Sequence, residues 1–206
     1  MDVGGRSDRC RIRVTVSATL RKMTITPMSD AVTAALEESR RLGFLGARPV
    51  EEVVAHARAF VDALDGVVGE VADLGAGGGV PGLVIAHDRP DLELTLIDRR
   101  AKRTDFLERM VRRLRWTDRV HVLTADVEQV VRIAPASFDA VVARGFGPPE
   151  PTLSLAVGLV RAGGRVIISE PPVGDRWRPD LLAELGVFRV TERDGPVAVF
   201  RRERFT

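Results

Sequence analysis

The run Asp73-Leu-Gly-Ala-Gly-Gly-Gly-Val-Pro-Gly82 constrains this chain more than any other segment. It leaves a short apolar β-rich stretch, Val71–Leu74, and enters a helix whose expected first residue is Pro81. Glycine at that density is expected where backbone must turn sharply and approach a bound molecule with no side chain in the way. Pro81 suits a helix start, because the N–H that proline lacks would be unpaired there anyway. A strand, a ligand-binding turn and a helix are therefore predicted in succession. Asp98 lies 21 residues beyond Gly77, at the end of the next β-rich run, Leu92–Ile97. A carboxylate in that place can accept hydrogens from both hydroxyls of a ribose. Turn and acid together point to a cofactor containing a nucleoside.

The surroundings set the frame for that turn. Val120–Leu123, Phe138–Ala143 and Arg165–Ser169 read as three further strands, separated by helical or loop segments, with Gly163-Gly164 and Asp91 as turns. Strands alternating with helices build βαβ units and a parallel sheet covered on both faces. After a short helix near Pro179–Leu185, the runs Val187–Thr191 and Val197–Arg201 flank Asp194-Gly195, which predicts a hairpin. The expected fold is α/β and Rossmann-like, mostly parallel, with a C-terminal antiparallel hairpin strand. Upstream, Ser29 is a candidate N-cap for a helix with Val32, Leu36 and Leu42 on one face, ending at Gly43. A second helix follows Pro49, with Val53, Val54, Ala57, Phe60, Val61 and Leu64 at helical spacing before Asp65-Gly66. The chain divides on this reading into a disordered tail over 1–27, a helical cap over 28–66 and the sheet domain over 67–206. Within the tail only Arg11–Val16 alternates like an edge strand, and Met23 or Met28 are alternative starts.

Composition narrows the function classes. With 206 residues, 45% hydrophobic and 29% charged, the chain can bury roughly 70% of its unfolded surface and needs no disulfide or metal staple. The lone Cys10 argues against a disulfide framework, a structural zinc site and a papain-like nucleophile, and fits a reducing cytoplasm. Apolar runs such as Ala156–Val160 fall short of the about 18 residues of a membrane span, so no membrane partner is expected. His56, His87 and His121 are scattered without H-x-x-x-H spacing, so no metal is expected. The net charge of +2 is outweighed by the cations of residues 1–27, so the overall balance says little about nucleic acid. Local clustering says more: Arg99, Arg100, Lys102, Arg103, Arg109, Arg112, Arg113, Arg115 and Arg119 fall in one helical stretch. That stretch is either an RNA-facing surface or a solvated face laced by the i,i+4 pairs Asp105–Arg109 and Glu108–Arg112. Lys22 and Lys102 are the only lysines, so arginine replaces lysine throughout.

The glycine pattern alone leaves two cofactors open. Gly77, Gly79 and Gly82 also satisfy the G-x-G-x-x-G of NAD and FAD proteins. Asp73 discriminates, because a carboxylate before the turn repels a pyrophosphate and attracts the ammonium and sulfonium of S-adenosyl-L-methionine (SAM). The terminal antiparallel hairpin also belongs with methyltransferases. SAM is favoured, with a dinucleotide as the alternative.

Three stretches resemble a known family. Asp73 to Leu83, the run Leu96-Ile-Asp-Arg-Arg-Ala-Lys-Arg-Thr-Asp-Phe-Leu107, and Phe138-Asp-Ala-Val-Val-Ala-Arg144 are similar to the bacterial 16S rRNA guanine-N7 methyltransferases, the RsmG or GidB family. The Pro-Gly after the glycine turn and the Asp-x-x-x-Lys-Arg-x-x-Phe-Leu pattern are more specific than a generic SAM motif. The resemblance covers about residues 50–170 and implies the class I SAM-dependent methyltransferase fold. It implies that Asp73, Gly75, Ala76, Gly77 and Gly79, with Pro81, Gly82 and Asp98, form the cofactor site. Asp126, Val127 and Glu128 fall where family members line the adenine. Arg144 takes the place of a family arginine at the mouth of the site and is the catalytic and substrate-contact candidate. Phe146 is expected to stack on a planar acceptor, and Lys102 and Arg103 to contact substrate. The implied partner is 16S rRNA in the small ribosomal subunit.

The chain also departs from the pattern. Of a His-x-x-Asp-Ser motif only His56 remains, followed by Ala57-Arg-Ala-Phe60; Asp126 stands where the family has arginine; and Ser169-Glu-Pro-Pro172 replaces Lys-Gly after the fifth strand. The departures fall on the substrate side, so a methyltransferase for a small molecule or another RNA, and a non-catalytic SAM-binding protein, stand as alternatives. Trp116 and Trp177 are expected to be packing residues, since an interleaved set of aromatics and cations is lacking.

Overall fold

A computed structural model of the chain describes residues 27–171, 176–191 and 195–204. The readings for the tail, Cys10, the Arg11–Val16 alternation and Asp194 lie outside the described residues. Two helices, α1 (Asp30–Arg41) and α2 (Val50–Ala63), precede an alternating series: β1 (Glu70–Leu74), α3 (Gly82–Asp88), β2 (Glu93–Asp98), α4 (Ala101–Arg113), β3 (Val120–Thr124), α5 (Val127–Ile133), β4 (Phe138–Ala143), α6 (Pro149–Leu159) and β5 (Val160–Ser169). The last elements are α7 (Pro179–Glu184), β6 (Val187–Arg189) and β7 (Val197–Arg202). They form a 7-stranded sheet in the order β3-β2-β1-β4-β5-β7-β6. Pairing is parallel from β3 to β5 and antiparallel at β5–β7 and β6–β7.

Period-2 alternation sends each strand's side chains to two cores. Val71, Ala140, Val142 and Ile167 join the helices α1, α2, α3 and α4 on one face. Ala72, Leu74, Val141, Ala143, Val166 and Ile168 join α5 and α6 on the other. Strands buried on both faces carry near-continuous apolar runs, which is why β4 reads Phe-Asp-Ala-Val-Val-Ala. Each fully buried Leu, Ile or Phe contributes about 1.5–3 kcal/mol by leaving water.

Ser29 caps α1, its hydroxyl accepting from the Val32 N–H. Val32 and Leu36 are fully buried, whereas Leu42 lies past the last helical turn as the C-cap and is exposed. Phe60 and Ala57 of α2 pack in the same core as Val71, Leu83 and Ile85, so the N-terminal helices share the sheet's own core. Two expectations are corrected at the C-terminal side. β5 opens at Val160, immediately after α6, and passes through Gly163-Gly164 as an irregular strand segment, with register shifting between Phe138 and Ala140. A Cβ at Gly164 would stand 2.6 Å from the Asp139 carbonyl, so glycine there permits close strand approach. β6 ends at Arg189, and Thr191 contributes its hydroxyl to the Val199 N–H.

Strand order reverses between β1 and β4, the place where open α/β sheets leave a crevice at the carboxyl ends of their strands. Asp73, Asp98 and Arg144 all lie at those ends.

Candidate active site

The backbone of the glycine turn folds over the end of the sheet. Gly75 and Gly77 adopt φ +66° and +55°, where a side chain would be strained. The Ala76 N–H donates to the Ile97 carbonyl at 2.9 Å, tying the turn to the end of β2. Asp98 follows at once. It is 3% exposed, and its two oxygens accept from the backbone N–H groups of Gly77 (3.1 Å) and Arg100 (2.9 Å). Each oxygen keeps a further lone pair, and Arg103 Nη1 stands 3.8 Å from Oδ2.

Asp73 lies beneath the turn. One oxygen accepts from the Gly82 N–H at 2.9 Å, while Oδ1 has no hydrogen-bond partner. Burial pushes its pKa from the ordinary 3.8 to about 7, against the pull of the Gly82 N–H and of Arg144. A buried carboxylate with an orphan oxygen fits a cationic ligand group.

These features frame a cavity of about 1390 Å³. A single small-molecule pocket occupies roughly 300–1,000 Å³, so the space suits a cofactor and part of a second molecule. One half is lined by Gly75, Ala76, Gly77, Asp98 and the stretch Ala125–Glu128. Asp126 also caps α5, accepting from the Glu128 N–H at 3.0 Å, which turns Val127 and Glu128 toward the ligand space. The other half is lined by Arg144, Phe146, Gly147, Pro148, Thr152 and Glu170. The Phe146 ring leans on the turn, where a Cβ at Gly75 would stand 2.7 Å from it. Arg144 donates from Nε to the Val80 carbonyl at 3.2 Å.

Most of the expected site residues are therefore brought together. Asp73, Gly79, Pro81 and Gly82 lie under the turn rather than on the cavity wall, as supports. Arg103 is beside Asp98, on the cofactor half, with its guanidinium 5.9 Å from the Phe44 ring centre. Lys102 points away: it is exposed and borders a separate shallow depression with Leu42 and Gly43. The basic stretch is partly neutralised. Arg109 and Arg113 reach Glu38 on α1 (3.6 and 2.9 Å), in place of the expected Asp105 pairing for Arg109, and Arg112 meets Glu108 at 3.3 Å. Trp177 is buried and donates to Glu170 at 2.8 Å, and Trp116 packs against the sheet core. Glu170, the anion that replaces a family lysine position, is flanked by Arg176 (3.2 Å) and Arg189 (3.7 Å).

Three contributors escaped the sequence as site residues. Ser39, buried on α1, donates to the Gly78 carbonyl at 2.8 Å, and a Cβ at Gly78 would meet the Ser39 hydroxyl, Leu45 and the Phe44 carbonyl within 3 Å. The cap thus forms the floor of the turn. Arg48, before α2, and His56, on α2, reach the cavity wall. Nothing local distinguishes Ser39 from any other helix serine. Ser39→Ala leaves a buried carbonyl unpaired, an expected loss of about 1–3 kcal/mol in denaturant unfolding. SAM affinity measured by calorimetry should fall several-fold, and an unaltered value would mean that the cap does not set the turn.

Among the described residues no group of His, Cys, Asp and Glu is placed to hold a metal, and no helix is long and apolar enough to cross a membrane. The chain matches the family described as rRNA small subunit methyltransferase G over residues 39–170. It is 36% identical over 98 residues to the ribosomal RNA small subunit methyltransferase G of Bordetella avium, covering 48% of this chain and 42% of that protein. With the Corynebacterium glutamicum (strain ATCC 13032) protein of that name it shares 32% identity over 129 residues, 61% of this chain and 57% of that one. The matches thus span about half the length of these relatives or less. Among solved structures, a methyltransferase from Geobacter sulfurreducens has the same fold at 15% identity, with a TM-score of 0.61 over 86% of this chain and 93% of that one. Glycine turn, paired acid, sheet order and family match converge: this chain belongs to the rRNA small subunit methyltransferase G family.

Proposed function

We propose that the protein transfers the methyl group of SAM to N7 of a guanosine in 16S rRNA by direct in-line displacement. The observation that carries this reading is the two-part cavity, with Asp98 on its wall and Asp73 buried beneath the turn on one side, and Phe146 and Arg144 on the other, in a chain of this family. SAM, when bound, supplies an electrophilic methyl on a sulfonium. Asp98 would hold the ribose, Asp73 the ammonium, and Val127 and Glu128 the adenine. Phe146 would hold the purine flat, with N7 in line with the C–S bond. The N7 lone pair forms the new N–C bond, the C–S electrons return to sulfur, and the donor leaves as a neutral thioether. N7 carries no proton to remove, so the reaction asks the protein for alignment rather than for a general base.

The test is transfer to 16S rRNA transcribed without modifications, with N7-methylguanosine mapped by borohydride and aniline cleavage. One methylated guanosine and stoichiometric S-adenosylhomocysteine are expected. Release of S-adenosylhomocysteine with a metabolite extract, but no mark on the RNA, would move the protein to a small-molecule acceptor.

A further inference from the structure

The cavity carries positive charge that stands outside its ion pairs. Arg48 and Arg144 both line it, and among the described residues neither has a carboxylate within ion-pair distance. This sets them apart from Arg100, Arg103 and Arg176, which border the same cavity and face Asp98 or Glu170. Arg144 is anchored through Nε to the Val80 carbonyl, and its two Nη groups keep four N–H donors in a fixed fork. The two guanidinium groups repel each other, and burial adds to the pressure on Arg144. The carboxylate that attracts Arg144 is Asp73, itself lifted to about 7 by burial and therefore only partly ionised at neutral pH. His56 lines the same cavity, half-buried with its ring edge-on to Phe60 at 5.9 Å between centroids. Burial and both arginines push its pKa down, so the imidazole is neutral and offers one N–H donor.

We infer that Arg48, His56 and Arg144 form a cradle for a backbone phosphodiester of the acceptor RNA, fixing the target nucleotide at the mouth of the cavity. The inference rests on the RNA reading above and names the part of the site that grips the polymer. Two guanidinium groups and a neutral donor lining one cavity match the several acceptor oxygens of a phosphate. Placement favours a polymer from outside over the cofactor: Arg48 is exposed on the outer rim, whereas Asp73 and the glycine turn are buried. Charge flow in the reaction agrees. The purine becomes cationic as N7 takes the methyl, so an arginine against the base would oppose transfer, whereas one on the adjoining phosphate would not.

Arg48 is exposed, so its substitution does not threaten folding. Binding of the unmodified 16S transcript should be measured from 50 to 300 mM KCl for the parent protein, Arg48→Ala, Arg48→Lys and Arg144→Ala, with SAM affinity of each by calorimetry. Losing one phosphate contact is expected to weaken RNA binding about 5-fold near 100 mM salt and to lower the slope of log K against log salt by about 0.7–0.9. Arg48→Lys should keep the slope, and the SAM affinity of Arg48→Ala should stay within about 2-fold of the parent. An unchanged slope in Arg48→Ala, with the parent still binding and methylating RNA, overturns the cradle and leaves the function reading standing. Loss of SAM affinity without a change in RNA slope overturns it in favour of a clamp on the cofactor's carboxylate. A parent protein that neither binds nor methylates the transcript removes the RNA reading, and the cradle with it.

Discussion

Asp98→Ala is expected to remove measurable SAM binding by calorimetry while the protein stays folded. Two charge-assisted hydrogen bonds to ribose hydroxyls, at about 1.5–3 kcal/mol each, correspond to a loss of roughly 10²–10⁴-fold in affinity. The same carboxylate accepts from the Gly77 and Arg100 N–H groups, so the substitution also strips two backbone donors of their partner. That second effect is a stability loss of about 2–6 kcal/mol, below most of the 5–15 kcal/mol range of a typical domain. Asp98→Asn keeps one acceptor oxygen and should fall between parent and alanine variant. A variant that unfolds at the parent's denaturant midpoint and binds SAM as tightly as the parent would sink the assignment of Asp98 to the ribose.

The second large effect lies at Asp73. Burial holds its folded pKa near 7, against 3.8 for an ordinary aspartate. The folded, ligand-free chain therefore keeps a proton that the unfolded chain has released. Stability attached to this group is present below pH 4, falls as pH rises toward 7 and is fully lost above it, a change of roughly 4 kcal/mol at about 1.4 kcal/mol per pH unit. Asp73→Asn should flatten that part of the pH–stability curve and be more stable than the parent at pH 8. Its SAM affinity should be weaker, because an amide does not neutralise an ammonium. In the parent, a cation beside Asp73 favours the carboxylate, so SAM binding at pH 6 should release close to one proton and tighten as pH rises to 7. Binding enthalpies in buffers of different ionisation heat give the proton count. A count of zero at pH 6, or identical pH–stability curves for the two proteins, would show that Asp73 is ionised before ligand arrives.

What was legible in the sequence was what the chain encodes locally. The glycine turn, the acid at the end of β2 and the parallel strands each depend on neighbours within a few positions, and each stands in the structure as expected. The entry to β5 was not legible, because Gly163-Gly164 serves equally as a turn or as the thin point of an irregular strand, and only the nearness of Asp139 decides. Arg109 illustrates the same limit: Asp105 stands one helical turn away, yet Glu38 from another helix takes the arginine. Glu170 reads in the sequence only as an anion in place of Lys-Gly, and its pairing with Arg176 and Arg189 comes from the folded chain. Ser39, Arg48 and His56 serve the site only because α1 and α2 dock on the sheet, a long-range event with no local signature.

That docking bears on where the chain can be divided. Val32, Leu36, Ala57 and Phe60 are sealed against Leu83, Val84 and Ile85, and one serine hydroxyl joins the two parts at the turn itself. A cut before β1 would lay open an oily seam on both fragments and leave the glycine bend without its brace. Glycine bend and amino-terminal helices are thus one cooperative unit, and anything that frays the helices is felt first at the bend.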